Sequence, residues 1–267
     1  MNNRLIIGRY IVGDSFIHRL DPRSKLIGMF LFMIAIFLVN SYTTIVIALL
    51  FTTSILLLSK IPLLLYLKAI RPLLFLLIFI SLFHVFFHNE GSRLLQAGNF
   101  AIYSGGLEKG LVSAGRMTLF ITFAAMLSFT TQPDSIATGL SSILKPLNKL
   151  RIPVARFSLM LSIALRFIPT IFEEAERIWK AQVSRGFSLA NKPLKEKAQL
   201  IIALLVPVTQ GAFRRAISLA DSMEARNYRL DHKRTAYRQM TWTIADSSYL
   251  CMFIIPIVLI AVFQKVF

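Results

Sequence analysis

The sequence predicts an all-α integral membrane protein, with about five transmembrane helices and a cytoplasmic domain of long, crossing amphipathic helices. The chain is 55% hydrophobic and 16% charged, and its mean hydropathy is +0.64. A soluble domain of 267 residues is far less apolar than this. The formal net charge is nevertheless +17, so the few charges are mostly basic. Basic residues concentrate in segment 132–242, which is typical of the cytoplasmic side of a membrane protein.

Five apolar runs predict the transmembrane helices, although most are a little shorter than the roughly 20 residues that a spanning helix needs. They cover 26–39, 45–58, 73–87, 111–131 and 249–263. A polar turn joins the first two runs into a hairpin, and a cationic link with Lys60, Lys68 and Arg71 precedes the third. These runs predict an N-terminal bundle of four spans over 1–131, a cytoplasmic segment over 132–242 and a final transmembrane helix within 243–267.

The charges of the loops predict how the chain is oriented across the membrane. The link before the third span and segment 132–242 are basic, whereas the turn at 40–44 is uncharged and the connection at 89–110 is balanced. The positive-inside rule then places the N-terminus in the cytoplasm and the C-terminus outside. Segments 154–172 and 200–213 are also apolar. A crossing at 154–172 would bury Arg156 and Arg166, at about 2.5 to 3.5 kcal/mol each near the bilayer centre. We therefore predict that both segments lie along, or dip into, the inner leaflet.

Two similar helical arms organise segment 132–242. Each begins apolar, passes through a proline (Pro169 or Pro207) and then becomes charged and amphipathic. Each closes on a small residue, an arginine and a residue that can end a helix in the left-handed conformation. These endings are Ser184-Arg185-Gly186 and Ala225-Arg226-Asn227. An arginine that caps its own helix dipole is one interpretation. Two equal endings favour the other, in which each arginine pairs with an acidic socket on a partner.

Two smaller features are open to interpretation. Residues 136–147 repeat apolar side chains on one helical face after Asp134, which predicts a short surface helix that stops near Pro153. Arg116 lies near the start of the fourth apolar run. It either reaches the membrane interface by snorkelling or is a buried arginine with a function.

Enzyme chemistry finds little support in these residues. The apolar runs hold no paired carboxylates, and the chain holds no Gly-rich phosphate loop or nucleophile elbow. His84 and His88 could bind one metal ion together, with Glu90 nearby, but interfacial histidines without a metal are the favoured interpretation. The single Cys251 excludes an intramolecular disulfide and a cysteine metal cluster. Nucleic acid is a poor explanation of the basic charge, because the sequence contains no acid-poor soluble domain that would carry such a basic patch.

Short motifs spread along the chain resemble a known family. The first, at 20–26, contains Asp21, Pro22, Arg23 and Lys25, and the others lie at 130–133, 139–140, 145–147, 164–169, 181–186 and 224–228. Together they resemble the transmembrane T component of energy-coupling factor importers, the EcfT/CbiQ family. The family pattern at both arm ends is Ala-Arg-Gly. Here Ser184 replaces the first alanine and Asn227 replaces the second glycine.

The resemblance implies that the chain is a non-catalytic energy-coupling subunit in the plasma membrane of a prokaryote. Its partners would be two cytoplasmic ABC-type ATPases and a small membrane S component that captures a vitamin or a transition-metal ion. The ATPases would bind ATP and Mg²⁺, and the chain itself would bind no cofactor or metal. Segment 132–242 would be the coupling domain, with Arg185 and Arg226 inserted into the ATPases and with bends at Pro169 and Pro207.

The residues alone are also compatible with two other classes of membrane protein. A self-contained secondary transporter would normally carry ionisable groups at mid-membrane and inverted repeats. A membrane-bound lipid enzyme would need clustered acids or histidines at the cytoplasmic face. Only the importer subunit is expected to co-purify with ATPases and with a second membrane protein.

Overall fold

The computed structural model describes residues 10–88, 90–97, 100–150, 153–186, 193–229 and 240–266. Its α-helices are α1 Phe16–Arg19, α2 Pro22–Phe37, α3 Tyr42–Ser59, α4 Leu63–Ile70, α5 Leu74–Phe87, α6 Ser104–Thr130, α7 Pro133–Leu144, α8 Val154–Ser184, α9 Leu194–Ala225 and α10 Ile244–Val266. Two 3-10 turns, Arg71–Leu73 and Lys145–Leu150, join neighbouring helices. Within these ranges, strands occur only in one hairpin, β1 Arg93–Ala97 with β2 Phe100–Tyr103. The predicted all-α membrane class is confirmed.

The chain divides into two compact units. The first comprises Met1–Ile143 and Met240–Phe267 and contains α1 to α6, almost all of α7, the hairpin and α10. The second comprises Leu144–Gln239 and contains α8 and α9. Helix α7, within the segment predicted to be cytoplasmic, packs in the first unit, where Gly139 lies against Pro22 at the start of α2.

Aromatic side chains fill the core of the first unit, where α2, α3, α6 and α10 pack together. Phe32 stacks on Phe123 with ring centroids 4.2 Å apart, and Phe253 meets Phe123 edge to face at 5.9 Å. Such pairs add about 0.5 to 1.5 kcal/mol beyond the area they bury. Gly28 allows α10 to approach α2, because a Cβ there would lie 2.8 Å from the ring of Tyr249. The final helix is therefore an integral part of the bundle.

The cationic link before the third predicted span, 73–87, is itself helical. Residues Leu63–Ile70 form α4, and the 3-10 turn continues the chain into α5. Pro72 sits within this turn, where a missing N–H costs little. Lys68 interrupts the apolar pattern of the sequence without interrupting the helix.

The connection at 89–110 is also more ordered than a polar loop. Its residues form the hairpin, in which Arg93 pairs with Tyr103, and α6 begins at Ser104, ahead of the predicted start at 111. Glycines that indicate a loop in the sequence serve helix packing here. A Cβ at Gly106 would lie 3.0 Å from three carbonyl oxygens of α5 and its cap, and one at Gly110 would lie 2.8 Å from the Ser81 carbonyl oxygen. Small residues allow two helix backbones to approach closely.

Six helical stretches among the described residues are long and apolar enough to cross a membrane. They are Tyr42–Ser59, Leu63–Phe87, Ser104–Thr130, Val154–Ser184, Lys195–Ala225 and Ile244–Phe263. Helix α2 has 16 residues and is shorter than these, whereas α8 and α9 both meet the criterion. The number of five spans, the orientation and the leaflet position of α8 and α9 remain predictions.

Candidate functional site

The predicted site lies on α8 and α9, the two long helices of the second unit. Pro153 precedes α8 and Pro193 precedes α9, and each helix continues through an internal proline, Pro169 or Pro207. A proline inside a helix has no N–H to donate to the carbonyl four residues earlier, and such positions are a usual cause of kinks. Bending at the two prolines stays a prediction.

The two helices end in the same way. Arg185 and Arg226 are the C-caps, and the next residues adopt the left-handed conformation, with φ of 86° at Gly186 and 53° at Asn227. The Gly186 N–H donates to the Val183 carbonyl at 3.0 Å, and the Asn227 N–H donates to the Glu224 carbonyl at 2.8 Å. This geometry satisfies carbonyls that the last turn leaves open. The left-handed ending predicted for both arms is therefore confirmed.

The α9 ending is complete as a Schellman motif. The Tyr228 N–H donates to the Met223 carbonyl at 3.0 Å, in addition to the bond from Asn227. At the α8 ending, the corresponding donor lies outside the described residues. Ser184 adds a side-chain bond there, because its Oγ donates to the Lys180 carbonyl at 3.1 Å. Asn227 is a residue type that tolerates positive φ, so its replacement of the family's glycine keeps the helix end.

Both cap arginines are exposed. Among the described residues, none forms a hydrogen bond or an ion pair with either guanidinium. Ala225, like Ser184, is small and exposed beside its arginine. Each helix therefore presents a planar group with five N–H donors, which matches a carboxylate on another protein.

An ion pair joins the two helices. Arg215 of α9 donates through Nη2 to Oε2 of Glu174 on α8, and the two side chains are 38% and 25% exposed. Gly211 allows this contact, because a Cβ at that position would overlap the Glu174 carboxylate. Neighbouring side chains line a cavity of about 450 Å³, which Arg177 and Thr170 share with the pair.

The helices run in opposite directions past this ion pair. Ile163 and Phe167, which precede Glu174 on α8, line a cavity of about 210 Å³ together with Leu219 and Met223, which follow Arg215 on α9. The C-terminal ends of α8 and α9 consequently lie on opposite sides of the Glu174–Arg215 contact.

The motif at 20–26 forms a buried polar network in the first unit. Asp21 caps α2 by accepting the Arg23 N–H at 2.8 Å, and Pro22 occupies the first turn. Asp246 of α10 accepts from the Asp21 N–H and from the Ser24 hydroxyl, each at 2.8 Å through Oδ1. Both oxygens of Asp246 are used, because Oδ2 accepts the N–H and the hydroxyl of Thr243.

Lys25 belongs to the same network and is 2% exposed. Its Nζ donates to the carbonyls of His18 and Thr130 at 3.2 Å and to the Thr131 hydroxyl at 3.3 Å. Arg23 reaches the Met240 carbonyl at 3.2 Å. These side chains connect α1, α2, α6 and α10 and have no exposed reactive group, so their role here is to position helices.

Sequence reasoning missed Asp246 as a member of this network. The predicted fifth span began at residue 249, and an acid just outside an apolar run was not singled out. Placing a carboxylate at the edge of a membrane helix costs free energy unless the carboxylate has a partner. An acidic residue at such a position therefore indicates a buried polar contact, and this signal could have identified Asp246.

Beyond the end of α5, His88 and Glu90 form an exposed cluster with Lys109 of α6. The Glu90 carboxylate lies 3.0 Å from His88 Nε2 and 2.8 Å from Lys109 Nζ. Hydrogen bonds from these two side chains, Lys109 first, lower the pKa of Glu90. Across the described ranges, His, Cys, Asp and Glu side chains do not assemble in threes around a metal-sized site.

Comparison with known proteins decides the family. Residues 13–237 match the family described as CbiQ, cobalt transport protein. The energy-coupling factor transporter transmembrane protein EcfT of Bacillus subtilis (strain 168) is 41% identical over 255 residues, 96% of each chain. The EcfT of Streptococcus thermophilus is 43% identical over 245 residues, 92% of this chain and 93% of its own. The chain belongs to the CbiQ/EcfT family.

Membership in the CbiQ/EcfT family confirms the resemblance read from the motifs. Like its relatives, the chain is a multi-pass transmembrane component of an energy-coupling factor transporter. A membrane subunit of a transporter agrees with a non-catalytic role. The motifs at 181–186 and 224–228 lie at the ends of α8 and α9, and those at 20–26 and 130–133 meet around Lys25.

Proposed function

We propose that the chain couples two cytoplasmic ABC-type ATPases to a small membrane S component that captures a vitamin or a transition-metal ion. In this proposal, Arg185 and Arg226 are the contacts with the two ATPases. One observation carries it: both long helices end in the same left-handed cap, each with an exposed arginine that no described residue pairs with.

The opposed ends of α8 and α9 support two ATPase contacts. Each guanidinium extends from a capped, rigid helix end, so little freedom is lost when it enters an acidic groove. ATP and Mg²⁺ are bound by the ATPases in this scheme. Closure of the two ATPases moves the two helix ends, and the Glu174–Arg215 contact transmits the movement between the helices.

The remaining surface of α8 and α9 suits a membrane partner. Phe157 and Phe172 of α8 are 61% and 71% exposed, and Phe213 of α9 is 71% exposed. Exposed apolar side chains of this size are typical of a surface that faces lipid or binds a partner. The proposed S component packs on this surface and is tilted or released when the helices move.

Charge reversal at the helix ends tests the proposal. Arg185→Glu and Arg226→Glu should each weaken ATPase binding, and the double variant should abolish uptake. Loss of one partner of a buried, hydrogen-bonded charge pair costs about 2 to 5 kcal/mol. Arg185→Lys should be intermediate, because lysine keeps the charge but loses the planar fork. The measurements are co-purification of the ATPases with the tagged chain and substrate uptake in cells.

Arg214→Glu is the matched control, since Arg214 is an exposed arginine on α9 away from the helix end. It should leave both measurements unchanged. A double reversal that still co-purifies with ATPases and supports uptake would show that Arg185 and Arg226 are ordinary helix caps. Substrate uptake by the chain alone in liposomes would indicate a secondary transporter instead.

A further inference from the structure

A cavity of about 550 Å³ opens between α2, α5 and α6 in the first unit. Its walls are mostly apolar, with Met33 and Phe37 from α2, Ile80 from α5 and Phe120 from α6. Arg116, Ser113 and His84 also line it. None of these residues belongs to the helix-end site or to the buried network around Lys25.

Arg116 is the unusual member of this cavity. It is half-buried on α6, and the described part of the chain offers it neither a hydrogen bond nor an ion pair. A cation against apolar walls within a membrane bundle is costly unless an anion or water compensates it. The charge on Arg116 is therefore not neutralised by another part of the described chain.

The position of Arg116 along the helix bundle indicates how deep in the membrane the cavity lies. Its neighbour Gly115 faces Ile45, so closely that a Cβ at Gly115 would overlap the Ile45 side chain. Ile45 lies in the first turn of α3, directly after the polar turn at 40–44, and Phe37 is the last residue of α2. The cavity consequently lies at the end of the bundle where a polar turn meets the lipid headgroups.

Two further side chains can assist an anion beside Arg116. Ser113 is buried and supplies a hydroxyl donor. The Nδ1 of His84 donates to the Ile80 carbonyl at 2.9 Å, which leaves Nε2 as the remaining ring nitrogen. A guanidinium with such donors on one side and an apolar groove on the other fits an amphiphile, not a small free anion.

We propose that this cavity binds an anionic phospholipid, with the phosphate on Arg116 and an acyl chain along the apolar wall between α2 and α6. Basic pockets between transmembrane helices recognise anionic lipid headgroups through this combination of charge and apolar surface. The site lies outside the proposed ATPase and S-component contacts, so it does not depend on that proposal.

Lipid binding to the purified full-length chain tests the site. The chain in detergent receives equal amounts of phosphatidylglycerol and phosphatidylcholine with identical acyl chains, and native mass spectrometry measures the lipid that each molecule retains. We expect wild type to prefer phosphatidylglycerol about fivefold, the effect of one basic residue near anionic lipid. Arg116→Gln should remove the preference, and Arg116→Lys should keep most of it.

Arg71→Gln is the matched control, because Arg71 is an exposed arginine in the 3-10 turn before α5, at the end of that helix remote from the cavity-lining Ile80 and His84. It should keep the wild-type preference. Equal retention of the two lipids by wild type would overturn the proposal, as would an unchanged preference in Arg116→Gln. Displacement of the lipid by inorganic phosphate would assign the site to a free anion, and loss of a membrane partner without any change in lipid preference would assign it to a protein. Either result would also overturn the proposal.

Discussion

Arg215 of α9 pairs with Glu174 of α8 across 41 residues, and Arg226 follows Arg185 by the same interval. Each cap arginine therefore lies equally far beyond the ion pair, at about 16 Å of helix for 1.5 Å of rise per residue. Because the helices run in opposite directions, the ion pair sits at the centre of two arms of equal length. A rotation at this point displaces both ends by the same amount.

Breaking this central ion pair tests the coupling proposed for α8 and α9, because it should uncouple the two helices without detaching the proposed ATPases. We expect Arg215→Glu to lower substrate uptake while ATPase co-purification persists, because the cap arginines are untouched. The stability effect should stay below about 1 kcal/mol, since partly exposed pairs contribute little. The double variant Glu174→Arg/Arg215→Glu should restore uptake, as it restores the attraction.

Lys180→Gln provides the comparison. It removes an exposed ion pair with Glu176, 2.8 Å long, that lies within α8 alone. Uptake by this variant should equal that of wild type. If the double swap stayed as impaired as Arg215→Glu, the ion pair would have no part in coupling.

The buried Lys25 network should be a major source of stability for the first unit. Lys25→Met preserves side-chain length but leaves the carbonyls of His18 and Thr130 without their donor. An unsatisfied buried acceptor costs about 1 to 3 kcal/mol, so the melting temperature of the detergent-solubilised chain should fall. Lys68→Met alters an exposed lysine on α4 and should have no such effect. Equal melting temperatures for the two variants would contradict this assignment.

His18 should make the stability of the fold sensitive to acid. Burial lowers the pKa of His18 below its ordinary 6.5, and repulsion from Lys25 acts in the same direction. Below pH 6.5 the unfolded chain then binds more protons at this residue than the folded chain, so stability falls as pH falls. The melting temperature should drop between about pH 7.5 and about pH 5.5, and His18→Gln should reduce the drop. The same pH dependence in both proteins would exclude His18 as its source.

Cysteine labelling can establish the orientation predicted from loop charges. In a Cys251→Ser background, which removes the one native thiol, Ser92→Cys next to the hairpin should react with an impermeant reagent in intact cells. Asn191→Cys should react only after the cells are opened. Labelling at residue 191 from outside would require α8 and α9 to cross the membrane as two further spans.

Local signals in the sequence predicted the helix-end site well. A glycine or an asparagine after an amphipathic turn determines how a helix ends, and neighbouring residues suffice to identify it. The structure shows Gly186 and Asn227 in the expected conformation. The membrane class followed in the same way from apolar runs, whose composition is a local property.

Long-range features could not be predicted in this manner. The bond between Asp21 and Asp246 joins residues 225 positions apart, and no periodicity in the sequence indicates it. Gly106 and Gly110 fall within the segment 89–110 that the sequence predicts as a polar connection, because a glycine that allows two helices to approach cannot be distinguished from a loop glycine by its type alone. The ion pair between Glu174 and Arg215 likewise depends on the close approach of α8 and α9 at Gly211, which the sequence does not indicate.

The Asp21–Asp246 bond also bears on how the chain is made. The ribosome produces α2 among the first elements, yet the carboxylate that completes the start of this helix is synthesised only with α10. Until then, the nascent protein holds Ser24 and the Asp21 amide without their final acceptor. A product that terminates before α10 therefore keeps the Asp21 N–H at the start of α2 without this acceptor.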